Sequence, residues 1–400
     1  MHWAPLLGEA PSAYALWKAL QAQHAPSPAA PQASAPALAA LIHAAEGKAE
    51  PTVSSCQREG AEPILINTPA DLTALDLARF DWVMPMRSGD ALAKGAGDAY
   101  RAAALKADES VSVIYADDDA ISDGRETHTP HLKPDWNSEL FQHHDYISGA
   151  AMLRAGSVTL RDLKAEGSWS DWVGALTRQA LDEGERAGAA PVHIHRVLHH
   201  RRTRPAPSLP LRPLDRPKPK RPFPSVSVII PTRNRLDLLS VCLKGLIETD
   251  YPGMMDILIT DNGSDDPETV KYLSALDEDF ARVMREDGPF NFAALNNRAA
   301  KRASSELLCF LNNDIEITDP HWLSTLVLQA MRDEVGAVGP QLVYPDGRIQ
   351  HAGVVIGIGG GAAHAHRGLN PEEEGYFHRH ALPQFVSALT AACLVVRRDR

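Results

Sequence analysis

Eight prolines fall between Pro205 and Pro224, and the overlapping stretch from Arg196 to Arg221 carries nine Lys or Arg and a single Asp. Proline lacks the backbone N–H that a helix or central strand requires, so neither is expected to persist there. A chain of 400 residues broken in this way is expected to fold as separate bodies, and 44% apolar residues suffice for a core in each. The proline-spaced charges read as a phosphate- or membrane-binding patch or as a stiff solvated spacer, and the spacing favours the spacer. A net charge of −11 offers phosphate backbones no attraction, which excludes bulk nucleic-acid binding. The four cysteines, Cys56, Cys242, Cys309 and Cys393, form no C-x-x-C pair, so neither a disulfide framework nor a cysteine zinc site is expected. The start, Met1-His-Trp-Ala-Pro, lacks a signal-peptide pattern, and the apolar run from Phe385 to Val396 is too short to span a bilayer. These features point to the cytoplasm, including the inner face of the membrane, with at most peripheral membrane contact.

In the first half, residues 25 to 52 are dominated by Ala, Pro and Ser and read as a linker or loosely ordered arm. From about residue 62 the pattern becomes regular. Strands are predicted at Pro63–Asn67, Asp81–Met86 and Val111–Tyr115, with helices at Ala70–Ala78 and Asp90–Ala107. The last strand runs into Asp117-Asp118-Asp119, which reads as a solvated turn. After the proline stretch, Ser225–Ile230 opens a second α/β region. It has predicted strands near 256 to 260, 306 to 311, 337 to 343 and 389 to 396, and a helix from Leu236 to Thr249.

Three strand ends in the second region carry polar clusters, and open α/β sheets bind ligands at the carboxyl ends of their strands. They are Pro231-Thr-Arg-Asn-Arg235, Asp261-Asn-Gly-Ser264 and Asn312-Asn-Asp314-Ile-Glu316. A carboxylate at Asp261 suits the N–H of a pyrimidine ring or ribose hydroxyls. Asn312 and Asp314, two residues apart, can turn toward one hard cation that bridges a diphosphate. Singly, each cluster also reads as an ordinary turn or helix cap. In order, each after a strand, they are hard to explain as turns.

These motifs resemble the family 2 glycosyltransferases of GT-A fold. The resemblance is carried by Val226–Arg235, Ile259-Thr-Asp-Asn-Gly-Ser264, Gly288–Asn297, Leu311–Glu316 and Tyr344–Gly353, and covers most of residues 225 to 400. Within that family the motifs look like those of bacterial tandem-domain rhamnosyl or O-antigen-type transferases. It implies inverting transfer from a nucleotide-diphospho-sugar donor to a saccharide or lipid-linked acceptor in cell-surface polysaccharide synthesis, with Mg²⁺ or Mn²⁺. Carried onto this sequence, Pro231, Thr232, Asn234, Asp261, Asn262 and Asn296 would border the nucleotide, and Asn312 and Asp314 would meet the metal. Asn296 reads equally as a residue fixing the helix start after Phe290-Asn-Phe292. The family's catalytic base follows the strand matching Ser387–Arg397, and it is expected beyond Arg400.

The first half resembles the first domain of the same tandem proteins through Ile114–Asp119, His131–Trp136, Asp145-Tyr-Ile147 and His195–His200. Where that domain carries an Asp-x-Asp-Asp cluster, this chain has Arg87-Ser-Gly-Asp90, and an arginine at a cation site sets like charges together. The early Pro-Thr-x-Asn strand is not recognisable before residue 60. Gly357–Ala362 fits the letters of a dinucleotide loop without a following helix, which disfavours an NAD-dependent oxidoreductase and leaves a flexible loop over the donor pocket. His351, His364 and His366 read as that loop's polar lining more readily than as metal ligands. The expected layout is an arm over 1–59, a degenerate GT-A-like α/β domain over 60–200, a linker over 201–224, and a GT-A domain over 225–400 incomplete at its C-terminus. The rival to an enzyme is a non-catalytic donor-binding or scaffold protein of the same shape.

Overall fold

The computed structural model describes residues 11–23, 35–44, 48–121, 128–160, 168–207, 221–357 and 361–399. The chain forms two compact units, Met1–Leu209 with Tyr376–Phe385, and Pro210–Gly375 with Val386–Arg400.

The first unit contains α1 (Pro11–Gln23), β1 (Leu38–His43), α2 (Glu50–Arg58), β2 (Glu62–Ile66), α3 (Pro69–Thr73), β3 (Trp82–Arg87), β4 (Ala91–Leu92) and α4 (Ala96–Lys106). It continues with β5 (Val113–Ile121), β6 (His128–His131), α5 (Ser138–His143), β7 (Ala151–Arg154), α6 (Trp169–Arg186) and β8 (Val192–Arg201). The sheet order is β2-β1-β3-β7-β5-β8-β4, with β6 paired to β5. β1 is an unbroken apolar run buried on both faces, as an interior parallel strand must be, and it lies inside the stretch expected to be an arm. Composition misled there because Ala supplies little hydrophobic contrast. α6 opens with a capping box between Ser168 and Asp171 and turns Trp169, Trp172, Val173, Leu176 and Ala180 into the core.

Tyr376–Phe385, expected in the C-terminal domain, belongs to this first unit. Leu382 joins its core, the Phe377 ring stacks on His131 at 4.0 Å, and the Tyr376 hydroxyl donates to the Leu132 carbonyl at 2.9 Å. The basic stretch also begins differently from a spacer. β8 persists to Arg201, between β5 and β4, because its prolines begin only at Pro205.

The second unit contains β9 (Val226–Thr232), α7 (Leu236–Ile247), β10 (Met255–Asp261), α8 (Pro267–Ser274), β11 (Arg282–Arg285), α9 (Phe292–Arg302), β12 (Leu307–Leu311) and α10 (Trp322–Ala330). Short strands follow: β13 (Ala337–Val338), β14 (Leu342–Val343), β15 (Ile349–His351), β16 (Val354–Ile356), β17 (Ala362–His364) and β18 (Cys393–Arg397). The main sheet runs β11-β10-β9-β12-β18-β13. α7 buries Leu239, Cys242, Leu243 and Leu246, a 3.6-residue stripe against this sheet.

Strand connections in the two units match. β9 lies between β10 and β12 and parallel to both, β12 pairs antiparallel with β18, and β18 antiparallel with β13. Likewise β1 lies parallel between β2 and β3, β3 pairs antiparallel with β7, and β7 antiparallel with β5. Both are GT-A-like α/β units, and β3 occupies in the first the place that β12 occupies in the second.

Candidate active site

Parallel pairing brings three strand ends level in the second unit: Asp261 is in register with Thr232 of β9 on one side and with Arg285 of β11 on the other. Asp261 is buried. Its Oδ1 accepts from the Ser264 N–H at 2.9 Å and its Oδ2 from Arg285 Nη1 at 3.1 Å. A buried carboxylate calls for hydrogen-bond donors, and Ser264 and Arg285 supply one to each oxygen. The same guanidinium donates to the Ser264 carbonyl at 3.1 Å, closing the Asp261–Ser264 turn.

Asn234 joins two of these loops. It has φ 53°, in the left-handed region, where asparagine is among the better tolerated side chains. Its N–H donates to Ser264 Oγ at 2.8 Å and its Nδ2 to Asp265 Oδ1 at 2.8 Å, while its Oδ1 accepts from the N–H groups of Asp265 and Asp266 at 3.0 Å. The bond from Asn234 holds the Asp265 carboxyl below its ordinary pKa. Thr232 is buried, and its hydroxyl accepts from Asn313 Nδ2 at 2.9 Å, tying the end of β9 to the loop after β12. Pro231 stands in β9 opposite Thr260.

Three buried acceptors in this region lack partners: Thr260 Oγ1, Asn262 Oδ1 and Asn296 Oδ1. Each would ordinarily cost about 1–3 kcal/mol if left unpaired. Asn262 Nδ2 donates to the carbonyls of Glu286 and Gly288, and Asn296 Nδ2 to the Phe292 carbonyl at 2.9 Å, one turn back in α9. The helix start is instead capped by Asn291, which accepts from the Ala294 N–H at 2.9 Å. The helix-start reading of Asn296 therefore falls to Asn291.

After β12, Asn312 is half-buried, and its side-chain amide takes no hydrogen bond among the described residues. Asp314 is exposed and is likewise in no hydrogen bond or ion pair among them. Its charge is felt by Cys242, whose thiol is pushed up to about 12 by burial first and by Asp314 second. Sequence reasoning missed Arg285, and it assigned no role to Ser264 and Asn313 within their clusters. Arg285 also pairs with Asp287 at 3.0 Å, so the local charge pattern hides its bond to Asp261, which only strand-end register reveals.

His351 and His364 face one another with their Nδ1 atoms 3.0 Å apart. Burial, then His364, lowers the His351 pKa to about 4. The glycine-rich segment joins β16 to β17, which pair antiparallel, and residues 358–360 lie outside the described residues. Its expected placement over a donor pocket rests on those residues.

In the first unit, Arg87 donates from Nη2 to Ser170 Oγ at 3.1 Å, and buried Asp90 accepts from the Arg202 N–H at 2.9 Å. Burial raises the Asp90 pKa in spite of Arg201. Asp117, Asp118 and Asp119 are not a solvated turn. All three are buried within β5. Asp118 pairs with Lys133 Nζ at 3.0 Å and Arg204 Nε at 2.5 Å, and Asp119 accepts from the Tyr14 hydroxyl at 2.8 Å. These partners lie 15 to 105 residues away, which local composition cannot reveal.

The buried Asp261 carboxylate at the end of β10 and the exposed Asp314 carboxylate after β12 thus stand on either side of the end of β9. Residues 227–398 match the family model described as glycosyl transferase family 2, and this part of the chain is a family 2 glycosyltransferase domain. The chain is 34% identical over 330 residues to uncharacterized protein y4gI of Sinorhizobium fredii, covering 74% of this chain and 36% of that protein. It is 32% identical over 332 residues to the O-antigen biosynthesis protein RfbC of Myxococcus xanthus, covering 74% of this chain and 26% of that protein. A GalNAc(5)-diNAcBac-PP-undecaprenol beta-1,3-glucosyltransferase of Campylobacter jejuni is 31% identical over 131 residues, covering 32% of this chain and 41% of that protein. The chain thus spans well under half the length of these relatives. No helix among the described residues is long and apolar enough to cross a membrane.

Proposed function

We propose that the second unit binds a nucleotide-diphospho-sugar with a divalent cation, Mg²⁺ or Mn²⁺, for transfer of the sugar to a saccharide or lipid-linked acceptor in cell-surface polysaccharide synthesis. The observation that carries this reading is the unpartnered Asp314 carboxylate, one sheet position from a loop system braced by Asn234, Asp261 and Arg285. Asp261 and Asn262 take the base or ribose. Donors on the nucleotide satisfy the acceptors left bare at Asn262 and Asn296, while Thr232, Asn234 and Pro231 shape the pocket wall.

The residues present fit a hard cation. Asn312 and Asp314 offer two oxygen donors free of protein partners, and Mg²⁺ is commonly held by one or two carboxylates together with waters and substrate phosphates. The bound ion would neutralise charge on the departing diphosphate. The chain's own contribution is positional: Arg285 holds Asp261 in orientation, and Asn313 holds the loop bearing Asp314 against Thr232.

Calorimetry of UDP- and dTDP-sugars with the full chain tests this. Binding is expected with Mn²⁺ and is expected to disappear in excess EDTA and in Asp314→Ala. Equal affinity in all three would remove the metal role. Donor binding without release of nucleotide diphosphate in the presence of lipid-linked or saccharide acceptors would instead identify a non-catalytic donor-binding protein.

A further inference from the structure

The first unit holds a cluster of ligating side chains apart from this site. On β8, His193 and His195 are two residues apart and share a face, as strand geometry dictates. His193 Nδ1 lies 3.1 Å from Asp135 Oδ1, and His195 Nε2 lies 2.8 Å from the same oxygen. The register of β8 against β5 slips directly after Ile194, so that Asp117 opposes Val197, and this irregularity adjoins His195. Bulges of this kind re-aim side chains.

The surroundings of His193 are built. Its other nitrogen, Nε2, lies 3.0 Å from Asp117 Oδ1, the oxygen that also accepts from the Lys133 N–H at 2.7 Å. Both ring nitrogens thus face carboxylate oxygens, which only accept: Nε2 faces Asp117 and Nδ1 faces Asp135. The Tyr115 ring stacks on His193 at 4.5 Å and 3°, and the Tyr115 hydroxyl donates to the Pro134 carbonyl at 2.7 Å, next to Asp135. One residue thus fixes both the imidazole and the segment bearing the carboxylate. With Nε2 donating to Asp117, the 3.1 Å contact between Nδ1 and Asp135 Oδ1 calls for a positive charge between the two atoms, a second proton or a metal ion.

We propose that Asp135, His193 and His195 form a binding site for a borderline divalent cation of the Zn²⁺ class. Two imidazoles and one carboxylate are a donor set suited to zinc, and metal-bound histidines characteristically donate their second N–H to a carboxylate, as His193 does to Asp117. Ligands about 2.0–2.1 Å from a tetrahedral ion stand about 3.3 Å apart, so these atoms need only separate slightly to admit one. Asp135 and His195 are largely exposed, leaving the remaining coordination position to water. The ion would clamp the segment carrying Lys133, Pro134 and Asp135 onto β8.

Untagged full chain, stripped with EDTA and dialysed, is titrated with Zn²⁺ by calorimetry, alongside Asp135→Asn and His195→Ala. Both substitutions fall on exposed side chains, so the fold is expected to survive, with far-UV circular dichroism as the check. The expected result is a site whose affinity drops at least about tenfold in each variant and is unchanged in His364→Ala in the other unit. Failure of the wild-type chain to bind Zn²⁺, or equal affinity in Asp135→Asn and His195→Ala, would overturn the proposal and leave the imidazoles held by protons alone. This outcome is independent of donor binding at Asp314.

Discussion

Asn234 does its work through geometry that no other side chain reproduces in full. Its backbone sits at positive φ, where a β-carbon costs roughly 1–2 kcal/mol, and its amide closes three bonds to the loop after β10. Glycine removes the side-chain bonds and relieves the backbone, whereas alanine removes the bonds and keeps the strain. Asn234→Ala should therefore lower stability in urea by about 1–2 kcal/mol more than Asn234→Gly. Both should weaken nucleotide binding to a similar degree. Equal stability of the two variants would show that the backbone conformation is not strained. Asp261→Asn makes a complementary case: the amide cannot accept from both Ser264 and Arg285 as a carboxylate does, so a loss of about 1–3 kcal/mol is expected, read in the same urea titration.

At the scale of elements, β5 is the most charged buried strand in the molecule's described part. Asp118 is held well below its ordinary pKa: burial opposes ionisation, but Lys133, Arg204 and Arg201 outweigh it. Burial is the main reason that His131, His144 and His199 are all lowered, His144 to about 4. The sign is common to all four groups. A group whose pKa is lower in the folded than the unfolded state binds fewer protons when folded, so falling pH favours unfolding. For the histidines the loss begins near pH 6.5, and for Asp118 only below about pH 4. Urea unfolding of the first unit's signal should weaken between pH 7.5 and 5.5 by roughly 1.4 kcal/mol per histidine for each pH unit below 6.5. No change over that interval would mean that these rings take up protons alike in the folded and the unfolded chain. Lys133→Met should cost about 3–5 kcal/mol at pH 7, because it strips a cation from a buried carboxylate. This network also explains what local pattern could not reveal. Val113–Tyr115 was legible as a strand from its apolar run. Its continuation through three acids was not, since the partners that satisfy them, Tyr14, Lys133, His200 and Arg204, lie far off in the chain. In the second unit β9, β10 and β12 were legible to within a residue or two, because apolar runs there end where the polar clusters begin.

Across the whole molecule, the matching strand connections of the two units allow their sites to be compared position by position. The end of β12 delivers Asn312-Asn-Asp314, and the equivalent end of β3 delivers Arg87-Ser-Gly89. The second unit thus offers two free oxygen donors where the first offers a guanidinium already bonded to Ser170. The end of β9 carries Thr232 and leads into Asn234, and the equivalent end of β1 carries His43, whose ring stacks on Trp169 at 5.0 Å. Asp90, the one acid left in the first cluster, is buried against the Arg202 N–H and Arg201 rather than turned to solvent. A diphosphate and its cation have nothing to replace at that end of the sheet. The full chain should therefore bind one donor molecule, with all metal-dependent binding lost in Asp314→Ala and none lost in Asp90→Asn. Calorimetric stoichiometry with UDP- or dTDP-sugar and Mn²⁺ reads this directly. Two donors per chain, or residual metal-dependent binding in Asp314→Ala, would show that the first unit retains a donor site in spite of Arg87.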